Sequence, residues 1–372
     1  MKRFIRTIVA FTFLAHSSGA SAQTTFQLDA IKPKIEQLIR AELAKGTASV
    51  SIALVASDRV VWTAAYGDAN ATTHTPATPA TVYSTGSTGK SVTATAVMQL
   101  VEQGKIELDA PVNRYLLSAR VQDRLQVDTP VTVRQMLSHQ SGLTCDVRTT
   151  PVFSRTLPPT LAELTARTYS VRRPGEKYEY CNAAYGILGY VIEQVSGQEY
   201  EAYIVENILK PVGAETSNPV RPTALMEDLM AQPYERGKDG KPEPTRQVFF
   251  DVYPAGDMYM TATDMARYLG AHLNGGVFGG KRILSAASVA EMHKNQSPTP
   301  DSPYGFGFAI MTAPDGHKII IHSGGTPGFN ALLAGDVNAK LGVYLMTNRG
   351  GFDEIGRAVL ELMRGAPIAV EK

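Results

Sequence analysis

Strand-like runs stand at both ends of this chain with helical segments between them, and that distribution restricts the folds open to it more than any single motif. Near the start, Ser49 to Ala56 and Val60 to Gly67 are rich in Val, Ile, Ala and Trp, and Ser57-Asp58-Arg59 between them predicts a hairpin turn. In the last third, Tyr304 to Met311, Lys318 to His322, Ala331 to Gly335 and Leu341 to Thr347 are apolar runs of strand length separated by Gly, Pro, Asp or Asn. A closing helix is expected from about Asp353 to Met363. Strands that follow one another without helices argue against a doubly wound parallel sheet, whose crossovers need them. The expected class is α+β: one antiparallel sheet built from the N- and C-terminal segments, flanked by helices, with an inserted all-α domain. The expected division is 23–86 plus 246–372 for the α+β part and 87–245 for the mostly helical insert.

The helical segments show their period. Leu28 to Lys45 carries Leu28, Ile31, Ile35, Leu38, Ile39 and Leu43 on one face, and Gly46 stops it. Asn70 to Pro79, heavy in Thr, Pro and Ala, reads as a loop. Thr132 to Leu143 reads as a short helix ending at a Gly turn; Leu161 to Thr168, Ala183 to Val195 and Tyr200 to Leu209 also read as helical, the last stopped by Pro211.

With 372 residues and 44% hydrophobic content, the chain can bury one large core or two unequal ones. Its 36 Lys+Arg against 35 Asp+Glu give a net charge of +1, which points to neither nucleic acid nor an anionic membrane surface as a partner. Met1 to Ala22 reads as a secretory signal. Lys2, Arg3 and Arg6 precede a short apolar core from Thr7 to Ala15, and Ala20-Ser21-Ala22 supplies a cleavage pattern before Gln23. That apolar core is far shorter than the ~20 residues a spanning helix needs, so no stable membrane anchor is expected. The expected location is periplasmic or secreted. There, the two cysteines, Cys145 and Cys181, are either bridged or two buried thiols. No metal site is expected: H-E-x-x-H is missing, and no Cys/His cluster has zinc spacing.

The chemistry centres on Val82 to Ser91, a small-residue turn running into an amphipathic helix with Val92, Ala96, Val97 and Leu100 on one side. Ser87 and Lys90 stand three residues apart, which on a helix puts hydroxyl and amine on one face beside the free N–H groups of the helix start. That pairing makes a nucleophile. The same letters fit a turn capping a structural helix. They also approach a phosphate-binding loop, but Ser84 stands where that loop needs Gly, and nucleoside triphosphates are scarce outside the cytoplasm. A Ser-His-Asp site would lean on His139 or His322 as base, yet no G-x-S-x-G exists. Tyr178-Glu179-Tyr180-Cys181-Asn182 opens a helix; Asn182 suits its N-cap, and a Tyr180 phenol lowered in pKa by a nearby Lys would shuttle protons. Ile319 to Phe329 is a strand ending in small residues, where Gly324 and Gly325 let a substrate lie close.

Ser87-x-x-Lys90, then Tyr180-x-Asn182, then His322-x-Gly324 resembles the serine penicillin-recognising enzymes. The branch is the class C β-lactamase-type one, shared with D-alanyl-D-alanine carboxypeptidases, D-aminopeptidases and β-lactamase-like carboxylesterases. The similarity runs from about Ser49 to Gly351 and includes Ile106 to Val112, Thr132 to Leu143, Pro254 to Ala266 and Thr347-Asn348-Arg349-Gly350. It implies that Ser87 forms an acyl-enzyme and that Lys90 and Tyr180 handle its proton. Asn182, His322, Ser323 and Gly324 would bind substrate. The backbone N–H groups of Ser87 and Gly325 would form the oxyanion hole, at ~3 kcal/mol per donor. No cofactor is implied, and the partner is a small-molecule or peptide substrate.

Several positions depart from the family's pattern. His322-Ser323-Gly324 replaces Lys-Thr-Gly, so His322 would orient a substrate carboxylate or polarise the phenol. Cys181 replaces a usual Ser, and the family's Ser-Gly-Leu turn approaches the Tyr loop, which would let Cys145 bridge to Cys181 at the site's rim. Asp257 stands where a second Gly is common, and Gly89 loosens the first helical turn at ~1 kcal/mol.

Overall fold

The computed structural model describes residues 28–126, 128–145, 147–151, 160–217, 222–349 and 354–365. The secretory segment, and Gly350 with the start of the closing helix at Asp353, lie outside them. The chain begins with α1 (Leu28–Ala44), ended at Gly46 by a left-handed turn. The hairpin follows, β1 (Ser49–Ala56) and β2 (Arg59–Asn70), with β3 (Thr75–Pro76) as a two-residue ladder inside the expected loop. Ser57 takes the left-handed conformation that reverses the hairpin.

After the helical stretch come α7 (Ala262–Leu273) and α8 (Ala286–Met292), and then β4 (Ala309–Thr312), β5 (Lys318–Thr326), β6 (Phe329–Asp336) and β7 (Leu341–Thr347). The sheet order is β4-β5-β6-β7-β1-β2-β3, antiparallel at every neighbour. The last strand therefore pairs with the first, Ile52 opposite Leu345, and the sheet is closed from both ends of the chain. Period-two alternation sorts its faces. Val50, Ile52, Leu54, Val343 and Leu345 pack against Ile35 and Ile39 of α1 and Val359 of α9 (Glu354–Arg364). Ala53, Val55, Leu333 and Tyr344 face the other way, against Met265 and Leu269 of α7 (Ala262–Leu273).

The helical stretch comprises α2 (Gly89–Glu102), α3 (Val133–Leu137), α4 (Leu161–Arg167), α5 (Asn182–Ser196) and α6 (Tyr200–Ile204), the last continuing as a wider turn to Leu209. α8 (Ala286–Met292) follows α7. The stretch 87–245 is not wholly helical: Tyr234–Arg236 pairs with Pro242–Pro244, and Thr149–Pro151 pairs with Val248–Phe250 just beyond it. Its core is continuous with that of the sheet, since Val92, Ile187 and Leu188 share one apolar cluster with Leu333 and Tyr344.

One expected strand is corrected. Tyr304 to Phe308 is buried but not extended, because Gly307 turns left-handed and a Cβ there would lie 2.6 Å from the Ser91 Cα. This segment is covered by the first turn of α2, and only Ala309 onward joins the sheet. Among the described residues, no helix is long and apolar enough to cross a membrane, and no cluster of three or more His, Cys, Asp or Glu could hold a metal.

Candidate active site

Ser87 lies in a single tight turn, Gly86–Thr88, that runs directly into α2. The hydroxyls of Thr88 and Tyr344 are 2.7 Å apart, which ties this turn to β7 in the middle of the sheet. On the other side, β5 presses so close that a Cβ on Gly324 would stand 2.0 Å from the Thr85 carbonyl oxygen. Gly89 also serves a close approach, because a Cβ there would come within 2.9 Å of the Gly256 Cα. The expectation that Gly89 merely loosens the helix is corrected: it lets segment 254–257 reach the nucleophile.

That segment completes the surroundings of Lys90. The Lys90 Nζ is 3.1 Å from Ser87 Oγ, 2.7 Å from Asn182 Oδ1 and 2.7 Å from the Ala255 carbonyl oxygen. Lys90 is fully buried, and desolvation holds its pKa well below that of an ordinary lysine. None of these three partners is anionic, so nothing among them restores the ammonium. A neutral amine has two N–H groups and one lone pair. The ammonium form donates to all three oxygens, whereas the neutral form favoured by desolvation gives its two N–H groups to the carbonyl oxygens and leaves its lone pair for the Ser87 hydroxyl. This geometry supplies a base for that oxygen.

Tyr180 hydrogen-bonds the Ser87 side chain, and its ring centroid lies 4.6 Å from Lys90 Nζ. The expectation of a lowered phenol pKa is corrected. Although the side chain is 38% exposed, desolvation at the phenol raises it above the ordinary tyrosine range, outweighing the Ser87 bond, and the same effect on Lys90 disfavours the cation that a phenolate would need. Tyr180 therefore carries its proton in the resting site and can relay one.

His139 organises the chain on either side of Tyr180. Its carbonyl accepts from Glu179 N–H at 2.7 Å, and its Nδ1 accepts from Cys181 N–H at 3.0 Å, with His139 itself in the left-handed region. Cys181 is disulfide-bonded to Cys145. Cys181 also takes the cap position of α5, so the reading of Asn182 as N-cap is corrected: Asn182 is the first helical residue, and its oxygen goes to Lys90.

His322 stands on β5 with both ring nitrogens engaged. Nδ1 is 2.6 Å from the Ser323 carbonyl, which can only accept, so Nδ1 carries the proton. Nε2, 2.9 Å from the Tyr304 hydroxyl, then accepts. Burial, with Lys90 nearby, pulls its pKa down to about 3. A neutral, doubly bonded imidazole has no charge for a substrate carboxylate, so that expected role is corrected; its structural partner is Tyr304. Ser323, next along β5, is exposed and by alternation takes the opposite side of the strand.

A cleft of about 340 Å³, counting the open solvent at its mouth, lies beside Ser87, lined among others by Asn182, Phe250, Asp257, Gly325 and Thr326. Ser87 and Gly325 thus bound one space. Tyr304 and the Ala255 carbonyl escaped sequence reading, the first because its apolar neighbours imitated a strand, the second because a main-chain oxygen leaves no mark in a motif.

The chain belongs to the beta-lactamase family, whose sequence profile matches residues 35–366. It is 30% identical over 277 residues to penicillin-binding protein 4 of Amycolatopsis lactamdurans, covering 72% of each chain. With the putative penicillin-binding protein PbpX of Bacillus subtilis (strain 168), it shares 29% identity over 263 residues, 71% of this chain and only 61% of that one. The octameric penicillin-binding protein homologue of Pyrococcus abyssi superposes with a TM-score of 0.75 at 27% identity, over 90% of this chain and 78% of that one.

Proposed function

We propose that this protein is an exported serine hydrolase that cleaves amides or peptides of D-amino acids through an acyl-enzyme on Ser87. The observation that carries the reading is the Lys90 amine, buried without a counter-ion and directed by two carbonyl acceptors toward Ser87 Oγ. Ser87 Oγ attacks the amide carbonyl as Lys90 takes its proton, and the backbone N–H groups of Ser87 and Gly325 receive the oxyanion. The proton returns through the Tyr180 phenol to the leaving amine as the C–N bond breaks. Water then loses a proton to the same pair and adds to the acyl carbon, and Ser87 Oγ leaves reprotonated. Export is supported by the charged, apolar and small-residue order of Met1 to Ala22 and by a disulfide suited to an oxidising compartment.

A second reading is a carboxylesterase. Phe250, Val252 and Val147 give part of the cavity an apolar wall that suits a small acyl chain. One experiment separates the two: wild type and Ser87→Ala are given D-alaninamide, diacetyl-L-Lys-D-Ala-D-Ala and p-nitrophenyl acetate. Release of ammonia or D-Ala by wild type alone supports the amide reading. Turnover of the ester alone moves the assignment to an esterase, and undiminished activity in Ser87→Ala overturns both. For export, the mature N-terminus should read from Gln23.

A further inference from the structure

Asp257 occupies a place that the chemistry above does not use. It is 1% exposed, and it lines the same cavity as Ser87. Its Oδ2 accepts the Phe250 N–H at 2.9 Å, whereas Oδ1 has no hydrogen-bond partner in the protein. The Tyr259 hydroxyl is shared between the Val248 carbonyl, at 3.3 Å, and the Asp257 carboxyl, whose pKa it lowers without offsetting the burial. Across the cavity, the Thr326 Oγ1 is also buried and unpartnered. Two orphaned polar oxygens in one cavity beside a nucleophile are costly for the empty protein, and a donor entering with substrate removes the cost.

The charge of this cavity is equally informative. Among the described residues that line it, Asp257 is the only one that is acidic or basic. Desolvation disfavours the ammonium form of Lys90, whose N–H groups are already donated within the protein, and both His322 nitrogens are engaged. Arg167 is paired with Asp251. Arg148, next to Val147 at the rim, is exposed to solvent, where its charge is screened. A terminal carboxylate entering here would meet an acid and no buried cation.

We propose that Asp257 is a specificity-determining residue that selects substrates whose acyl group carries a free amine, its Oδ1 accepting from the ammonium with Thr326 Oγ1 as a further acceptor. The inference rests on the D-amino-acid reading above and narrows it to aminoacyl amides and peptides with an unblocked D-residue at the N-terminus. Burial supports the geometry by pushing the carboxyl up to about 7, so the acid is poised near neutrality and an arriving ammonium completes its ionisation.

The test is ground-state binding, read as competitive inhibition of p-nitrophenyl acetate hydrolysis by D-alaninamide and by N-acetyl-D-alaninamide, which lacks the charge. Wild type should bind the free amine at least tenfold more tightly. In Asp257→Asn, which keeps an acceptor for Phe250 N–H, that ratio should fall toward one; Asp257→Ser is the second variant if the first does not fold. Fluorophosphonate labelling of Ser87 verifies an intact site in each variant. Equal or tighter binding of the acetylated compound by wild type overturns the proposal, as does a ratio that survives in the variants. Failure of the underlying reading looks different: D-alaninamide would release no ammonia while p-nitrophenyl acetate is still turned over, or ester hydrolysis would persist in Ser87→Ala.

Discussion

Burying an ammonium without a carboxylate beside it costs more than giving up its proton, and Lys90 shows which way that balance falls. Replacing it tests the consequence: Lys90→Met should slow fluorophosphonate labelling of Ser87 by ~10²- to 10⁴-fold, the usual range for a lost general base, in a protein of unchanged circular dichroism. His322 is predicted by its contacts to act on structure more than on substrate. His322→Ala removes one of the partners of the buried Tyr304 hydroxyl, Tyr185 being the other, so urea unfolding should show a loss of about 1 kcal/mol while Ser87 still labels. The two buried ionisable groups with opposite shifts give opposite pH signatures. His322 falls from 6.5 to about 3 on folding, so its neutral form contributes stability above pH 6.5 that is lost as pH drops toward 3. Asp257 rises from 3.8 to about 7, so its contribution is full below pH 3.8 and is lost as pH rises through 7, amounting to about 4 kcal/mol at full ionisation. Stability of Asp257→Asn measured against pH should therefore lack the decline that wild type shows between about pH 4 and pH 7; an unchanged slope would contradict the assignment.

At the scale of elements, the site depends on how closely unlike pieces of backbone meet. Strand β5 can lie against the Ser87 turn only because Gly324 has no side chain, and the neighbouring backbone cannot retreat. Gly324→Ala should thus displace strand from nucleophile and lower kcat/KM for any substrate by more than tenfold, with folding retained; near-normal activity would show that the approach is dispensable. The Tyr180 segment is held by the Cys145–Cys181 bond, which spans a sequence separation of 36. A loop of that size contributes about 4 kcal/mol by restricting the unfolded chain, a loss that denaturation under reducing conditions, or of Cys145→Ser with Cys181→Ser, would measure. The elements with strong periodicity were legible in sequence. β1 and β7 match the expected bounds, and α1 differs by one residue. Misreadings arose where tertiary contact replaced a local rule. Tyr304 to Phe308 is apolar because it covers α2, and Asn182 begins α5 without capping it because Lys90 competes for its oxygen.

For the whole molecule, the sheet is the reason that distant parts of the sequence act together. Pairing of β7 with β1 and of β5 with β6 sets the His322 strand beside the Ser87 turn, while α5 and segment 254–257 close over Lys90 from the helical side. The order Ser87, Lys90, Tyr180, Asn182 and the sheet's origin in both termini could be read from residue pattern. The protonation states could not, because they depend on how much water the fold removes from each group. Lys90 and Tyr180 looked like a cation stabilising a phenolate; burial leaves both uncharged. The central claim is that Ser87 is activated by a neutral Lys90. It is tested most directly by the pH dependence of the fluorophosphonate labelling rate, with the adduct located on Ser87 by mass. The account predicts a rate that climbs with pH along a limb set well below the 10.5 of an ordinary lysine, and a limb that disappears in Lys90→Met. A limb at the ordinary lysine value, or one that survives in Lys90→Met, would contradict it.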